Sequence, residues 1–359
     1  MKGKILFVSP YPVDKAPSQR LKFEQYYSYF KENGYELTTN SFIDEDFWKI
    51  VYKPRNYVKK ICYTLLGYLR RFLLLFTLRK YDVVYIHLWV TPIGPPFFEY
   101  LYRAFAKKVV YDIDDLIFLK PKSKANPIIN MLKSGNKPIY LMKHADHVIT
   151  CTPHLDTFVR QYNQSTTDIS STINTDVYQQ RSDYSIQGRP IVLGWSGSHS
   201  TSKYVYLLKD VLRRLSKEMP LKLLVIGDPA FNISGVEVEA IKWNEATEVK
   251  DLGRIDIGLY PLPDEEWVLG KSGLKALQYM ALGIPTVATA IGANFRVIES
   301  GISGFLVTSE EEWYKRIKQL TLDQSLRHQI GVAAAKRVRQ YYSIKANAPV
   351  YLSIINSLN

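Results

Sequence analysis

Gly270-Lys271-Ser272-Gly273 sets small and cationic residues at the start of a helix-type pattern, a combination that suits an anion. Leu274, Leu277, Met280 and Ala281 follow the three–four spacing of a buried helix face. Gly283 can close that helix, and Pro285 opens a strand-type run, Thr286-Val287-Ala288. A helix N-terminus offers outward N–H groups and partial positive charge to a phosphate, and Lys271 and Lys275 add full charges. A second loop of similar chemistry runs from Gly194 to Lys203, GWSGSHSTSK. Its small residues, Gly197 among them, permit close backbone approach, and Lys203 stands at a helix entry. Both loops follow strand-type runs, and two glycine loops with two lysines at one sheet edge suit a diphosphate.

Acidic residues form the second group. Asp112, Asp114 and Asp115 follow the strand-type run Val109-Val110-Tyr111. Carboxylates at a strand's C-terminal end can hydrogen-bond a polyol or take a proton. The same residues could cap a helix, and Asp-x-Asp could hold a divalent ion. Lysines and glycine loops already compensate a diphosphate, so no metal is expected. Asp264, Glu265 and Glu266, ahead of Trp267, are placed either to touch a sugar or to form a solvated acidic turn. The six histidines lack metal-binding spacing, and His199 stands out by its loop. Cys62 and Cys151 form no CxxC and lie far apart, which fits a reducing cytoplasm and no disulfide framework.

The elements that must position these residues alternate between strand and helix. Strands are expected at 4–9, 36–41, 81–87, 109–111, 144–150 and 169–173, with a helix over 20–33. A polar stretch, 179–190, reads as a linker. From Ile191 the alternation resumes, with strands at 191–196, 221–227, 255–260 and 286–288 and a hairpin-like piece at 301–307. Ser309-Glu310-Glu311-Glu312 has the form of a capping box. The pattern predicts an α/β chain of two Rossmann-like domains facing across a cleft: residues 1–180, residues 181–340, and a C-terminal helix over 341–359 that packs back on the first domain.

Residues 47–81 carry nine Lys or Arg and no acid. Arg70 and Arg71 interrupt the apolar part, so the segment does not read as a membrane span. As a helix it places Lys59, Lys60, Arg70 and Arg71 on one side and Val58, Cys62, Leu65, Leu69, Phe72 and Phe76 on the other. That pattern fits either a helix lying in a membrane interface or a core helix with a solvated basic face. The net charge of +13 calls for an anionic partner. No nucleic-acid module or aromatic–basic platform is present, which sets nucleic acid aside.

These residues carry a resemblance. Residues 270–285, GKSGLKALQYMALGIP, resemble the donor motif of family 4 glycosyltransferases of the GT-B fold, in which two glutamates flank seven residues before an A-M-A-x-G-x-P ending. The ending matches, whereas Gly270 and Gln278 stand at the glutamate positions. A divergent bacterial surface-polysaccharide branch with a GK…K…QYMA.G.P pattern is more similar. Residues 256–262, 304–306 with 311–313, 16–20 and 111–118 also look like that branch.

The resemblance implies retaining, metal-independent transfer from a nucleoside-diphosphate sugar to a glycan or lipid-linked acceptor, with no cofactor. It implies donor contacts from Gly197, His199, Lys203, Lys271, Ser272, Gly273, Leu274 and Gln278, with Gln278 at the ribose. Asp114, Lys203 and Lys271 would act in catalysis, and Arg20 and Asp112 would bind the acceptor. The expected place is the cytoplasm, peripheral on the inner face of the cell membrane. An epimerase of the same fold and a degenerate partner subunit are the rival readings.

Overall fold

The computed structural model describes residues 2–118, 136–186 and 188–358. Two compact units divide the chain, Met1–Ser171 with Asn347–Asn359, and Thr172–Ala346. Each is built on a six-stranded parallel sheet.

In the first unit β1 (Gly3–Ser9), β2 (Tyr35–Ser41), β3 (Val83–His87), β4 (Val109–Asp112), β5 (His147–Thr150) and β6 (Thr166–Asp168) lie in the order β2-β1-β3-β4-β5-β6. β3 is buried at every position and β1 at five of seven, as parallel strands covered on both faces require. Tyr351, from the last helix (Ile344–Leu358), packs its ring tilted against Tyr26 at 4.5 Å, and Tyr35 donates to Asn356.

Three expectations about this unit change. The strand expected at 169–173 is Thr166–Asp168 instead, a half-buried edge strand whose Thr-Thr-Asp sequence hides its pairing with β5. The expected helix over 20–33 is broken into Pro17–Arg20, a tight turn at Glu24–Tyr26 and a helix at Tyr27–Glu32. Buried Gln19 and Glu24 cause the break: Gln19 bonds Glu24 and both backbone groups of Tyr11, and Glu24 accepts from Asp14 N. Side chains spent on a neighbouring loop compete with helix continuity.

The third change concerns the basic segment. Its helix, Tyr57–Leu75, has the two faces expected, and of the two readings the core helix with a solvated basic face is overturned. Arg71 is 0% exposed and donates to Ser9 O, Asn40 O and Val90 O at 2.7–2.9 Å, with a further bond to the Asn40 side chain. Arg70 pairs with Asp44 at 2.8 Å and donates to Phe42 O. The arginine side therefore faces inward, and Val58, Leu65 and Phe76 are 75%, 63% and 73% exposed. Hydrophobic spacing gives the stripe but not its direction. Here carbonyls at the C-terminal edge of the sheet, which need donors, draw the guanidinium in. Burial lowers Arg71 to about 10, which leaves it a cation at neutral pH. No helix among the described residues is long and apolar enough to cross a membrane.

In the second unit β7 (Ile191–Ser196), β8 (Leu221–Ile226), β9 (Val238–Ile241), β10 (Ile257–Tyr260), β11 (Thr286–Thr289) and β12 (Phe305–Val307) lie in the order β12-β11-β10-β7-β8-β9. β9 is absent from the sequence expectation because its VEAI alternation is short and half-buried. The piece at 301–307 is a turn, with Gly301 N–H bonded to Gly304 O, that delivers β12 parallel to β11. Ser309 and Glu312 complete the capping box. The stretch read as a linker is fastened to this unit: Arg181 and Arg189 both bond Asp256, which also accepts from Val192 N.

Arg71→Met removes the donors to Asn40 O and Val90 O and one of the two to Ser9 O, which keeps the Phe42 N–H, at about 1–3 kcal/mol for each carbonyl left unpaired. Urea unfolding should show a loss of several kcal/mol, whereas Leu69→Ser, on the exposed face, should change stability by about 0.5 kcal/mol or less. A wild-type midpoint for Arg71→Met would contradict the inward orientation.

Candidate functional site

Parallel sheets bind ligands beyond the strand C-termini, where the strand order reverses. The second sheet reverses between β7 and β10. The loops leaving those two strands are the two glycine loops singled out in the sequence. Their closeness is set by backbone contact. Gly227, after β8, has φ +114°, and a Cβ there would fall 1.8 Å from Gly197 O. A Cβ on Gly197 would in turn lie 2.6 Å from the Trp195 ring and 2.7 Å from Lys275 Nζ. Neither position has room for a side chain.

Lys275 stands in the first turn of the Leu274–Ala281 helix. Its ammonium lies 4.6 Å from the centre of the Trp195 ring and 5.6 Å from that of Tyr260. Burial, then repulsion from Lys271, pulls it down to about 8. Gly273 caps the helix with φ 80° and no side-chain bond, which leaves first-turn N–H groups for a ligand. Lys271 reaches 5.4 Å over Trp267, which stacks on Tyr204 at 5.6 Å, and Lys203 sits 5.2 Å over Tyr204. The two lysines that spacing singled out thus flank one aromatic pair. Leu274 opens the helix and Ser272 is half-buried before it.

Asp228, missed by the sequence reading, organises the His199 loop. It accepts from Ser202 Oγ at 2.5 Å and lies 3.0 Å from His199 Nδ1, and these bonds, Ser202 first, hold its carboxyl below the ordinary range. His199 itself is 82% exposed on its side chain. Its signal was a Gly-Asp pair directly after a strand.

The two positions where glutamates were expected behave differently. Gly270 is buried at the end of the tight turn Glu266–Gly270. Gln278 is buried, and its amide nitrogen donates to Tyr178 OH at 3.0 Å and to Glu248 at 3.2 Å. Glu248 also accepts from Tyr178 and from the Trp243 indole. A carboxylate therefore stands beside position 278 although it comes from another helix. Glu265 takes the Trp267 indole N–H, and Asp264, Glu265 and Glu266 are exposed.

The first sheet reverses between β1 and β3, and its acidic residues gather nearby. Asp112 is fully buried, 2.7 Å from Lys22 Nζ and bonded by Tyr85 OH at 2.7 Å. His87 Nδ1 lies 3.4 Å from it. Burial alone would raise Asp112, but Lys22 and then His87 outweigh that and hold it low. Asp114 is pushed up, chiefly by burial, and its backbone carbonyl accepts from Cys151 Sγ. Asp115 accepts from Leu116 N, and Arg20 is half-buried at the end of its short helix. His87 and Lys22 were not anticipated. His87 ends a strand, which is a usable signal, whereas nothing local marks Lys22.

Gly227→Ala must move the 196–202 loop and adopt a disfavoured backbone. Thermal or urea unfolding should show a loss of more than about 1–3 kcal/mol, and an unchanged midpoint would contradict the close approach.

Residues 190–323, which contain both glycine loops, match the family described as Glycosyl transferases group 1. A sucrose synthase of Melioribacter roseus is 34% identical over 88 residues, 23% of this chain and 11% of that protein. A D-inositol 3-phosphate glycosyltransferase of Corynebacterium urealyticum is 28% identical over 170 residues, 42% of this chain and 39% of that protein. The chain thus matches well under half the length of either relative. Among solved structures, Anabaena HepE in complex with UDP-glucose aligns with a TM-score of 0.70 at 16% identity, over 99% of this chain and 100% of that one. Residues 190–323 therefore resemble a group 1 glycosyl transferase domain, in a chain with the GT-B fold of two Rossmann-like domains.

Proposed function

We propose that the chain transfers a sugar from a nucleoside-diphosphate sugar to a glycan or lipid-linked acceptor in cell-surface polysaccharide synthesis. The observation that carries this reading is the β7/β10 edge: an uncapped helix N-terminus, Lys271 just before it and Lys275 meeting the Gly197 loop, inside the region that matches group 1 glycosyl transferases. HepE, of like fold, was solved with UDP-glucose. Gly273 and Leu274 offer N–H groups to the diphosphate, and Lys203 and Lys271 stabilise charge on the leaving group. The reading assigns retention by front-face attack. The acceptor oxygen bonds the anomeric carbon as its bond to the diphosphate breaks, and the departing phosphate takes the acceptor proton. No metal or cofactor enters, and the reading gives Asp114 a part in catalysis. In this reading Glu248, held by Gln278, supplies the carboxylate that position 278 lacks. Gly270 and Gln278 favour, as a second reading, a partner subunit without activity; nucleotide binding without turnover would select it, and product from donor alone would select an epimerase.

A thermal-shift screen against nucleotide-sugars tests the first step, since ligand at 100 times its dissociation constant stabilises by about 2.7 kcal/mol. With donor and acceptor found, Lys203→Ala and Lys271→Ala should each lower the transfer rate by about 10²-fold or more, and NMR of the product should show a retained anomeric configuration. Wild-type rates in both variants would refute the electrostatic role.

The same reading places the chain in the cytoplasm, on the inner membrane surface. Exposed Val58, Leu65, Leu69, Phe72 and Phe76 provide an apolar stripe, and Lys53, Arg55, Lys59, Arg79 and Lys80 are exposed basic residues flanking it in sequence. Flotation with anionic liposomes should recover the protein. Leu65→Ser/Leu69→Ser/Phe72→Ser should abolish recovery while leaving the unfolding midpoint in place; recovery equal to wild type would remove this surface from the proposal.

A further inference from the structure

Lys275 has features that a purely structural lysine does not need. It is caged by Trp195 of β7 and Tyr260 of β10, and its Nζ lies where a side chain on Gly197 would be. Among the described residues no carboxylate pairs with it, and the charge that acts on it is another cation, Lys271. Titratable groups on the surrounding elements are otherwise engaged or uncharged. Tyr279 OH receives Ser196 N–H, and Tyr260 is held neutral by burial. His199 and Asp228 pair with each other, and Glu265 takes the Trp267 indole. Asp264 and Glu266 are exposed on the preceding loop. A cation removed from water without a counter-ion is unfavourable, and an arriving anion reverses that balance.

We propose that Lys275 is a half-buried counter-cation for the donor diphosphate, and that nucleoside-diphosphate binding brings a proton from solvent onto its amine. The inference rests on the glycosyltransferase reading for the identity of the ligand. In the empty site, burial and Lys271 disfavour the ammonium; two phosphate charges beside it favour the ammonium again. The sign follows. The free group titrates near 8 and the bound group higher, so between those values binding takes up a proton and affinity falls as pH rises. Lys203 and Lys271 lie beside the half-buried rings of Tyr204 and Trp267. Lys275 supplies its charge when the ligand is in place.

Isothermal titration of the full chain with UDP, ADP and GDP tests this, run at pH 7 and 8.5 in buffers of different ionisation enthalpy. The terminal phosphate, with its second pKa near about 6, is already ionised at both values. More than half a proton should be taken up at pH 8.5, and much less at pH 7. Lys275→Arg should bind without uptake. Lys275→Met should also lose uptake and weaken binding about 10- to 100-fold. Lys271→Met, which removes the repelling cation, should lessen uptake, and His199→Gln should keep it. Binding without uptake in the wild type, uptake persisting in Lys275→Arg, or its loss in His199→Gln would overturn the inference. Failure of all three nucleotides to bind would instead overturn the functional reading beneath it.

Discussion

The backbone contact between Gly197 and Gly227 sets the geometry of the second unit's ligand edge. Two parallel strands, β7 and β8, end side by side, and their exit loops pass within the space of a single Cβ. Only because that space is empty can Lys275 reach under the first loop from the neighbouring helix, and only then do Trp195 and Tyr260 form walls around its ammonium. Asp228 follows directly from Gly227 and ties Ser202 and His199 into the same arrangement. A side chain at either glycine would displace the loop and the cation together.

Buried cations have acceptors in both units, as Arg327 of the second shows by donating to Leu320 O, Thr321 O and Tyr184 O, and Lys275 departs from that rule. In the first unit, Lys22 meets Asp112, Lys137 meets Glu99, and Arg71 meets a ring of carbonyls. Each buried cation there has its acceptors, which is the condition for leaving a charge in a low-dielectric interior. These pairs hold the ends of β1, β3 and β4 and the loop at Val90–Ile93 in fixed register. In the second unit Lys275 has aromatic faces and no carboxylate. Paired cations fit structural positioning; a cation held for an absent anion fits binding.

The basic helix shows how composition can be read correctly while its orientation stays open. Its four cations and apolar stripe are plain in the sequence, and a solvated basic face is one of the two readings they allow. Arg71 rules it out, because a guanidinium with five donors can satisfy several strand-end carbonyls at once. The leucines and phenylalanines opposite are then left outside. Exposed apolar patches on this scale mark contact surfaces, and the arginines belong to the core that supports the patch.

Much of this protein was legible without a structure. Glycine, lysine and apolar spacing located both phosphate-type loops, the two βαβ series and the Ser309 capping box, because those features depend on local propensity and on residues close in sequence. Tertiary structure alone decided the rest. Edge strands β6 and β9 carry weak patterns because half-burial relaxes the demand for apolar residues. Lys22 and Asp112 are 90 residues apart and become partners only when β4 passes the Gln19 segment. Glu248 reaches Gln278 from another helix, so a carboxylate missing from a motif is present in space. The sequence placed Lys275 near an anion site, but its cage comes from two separate strands. Local physics sets which elements form. Which charges meet, and which one is left without a partner, depends on contacts that only the packed sheets bring together.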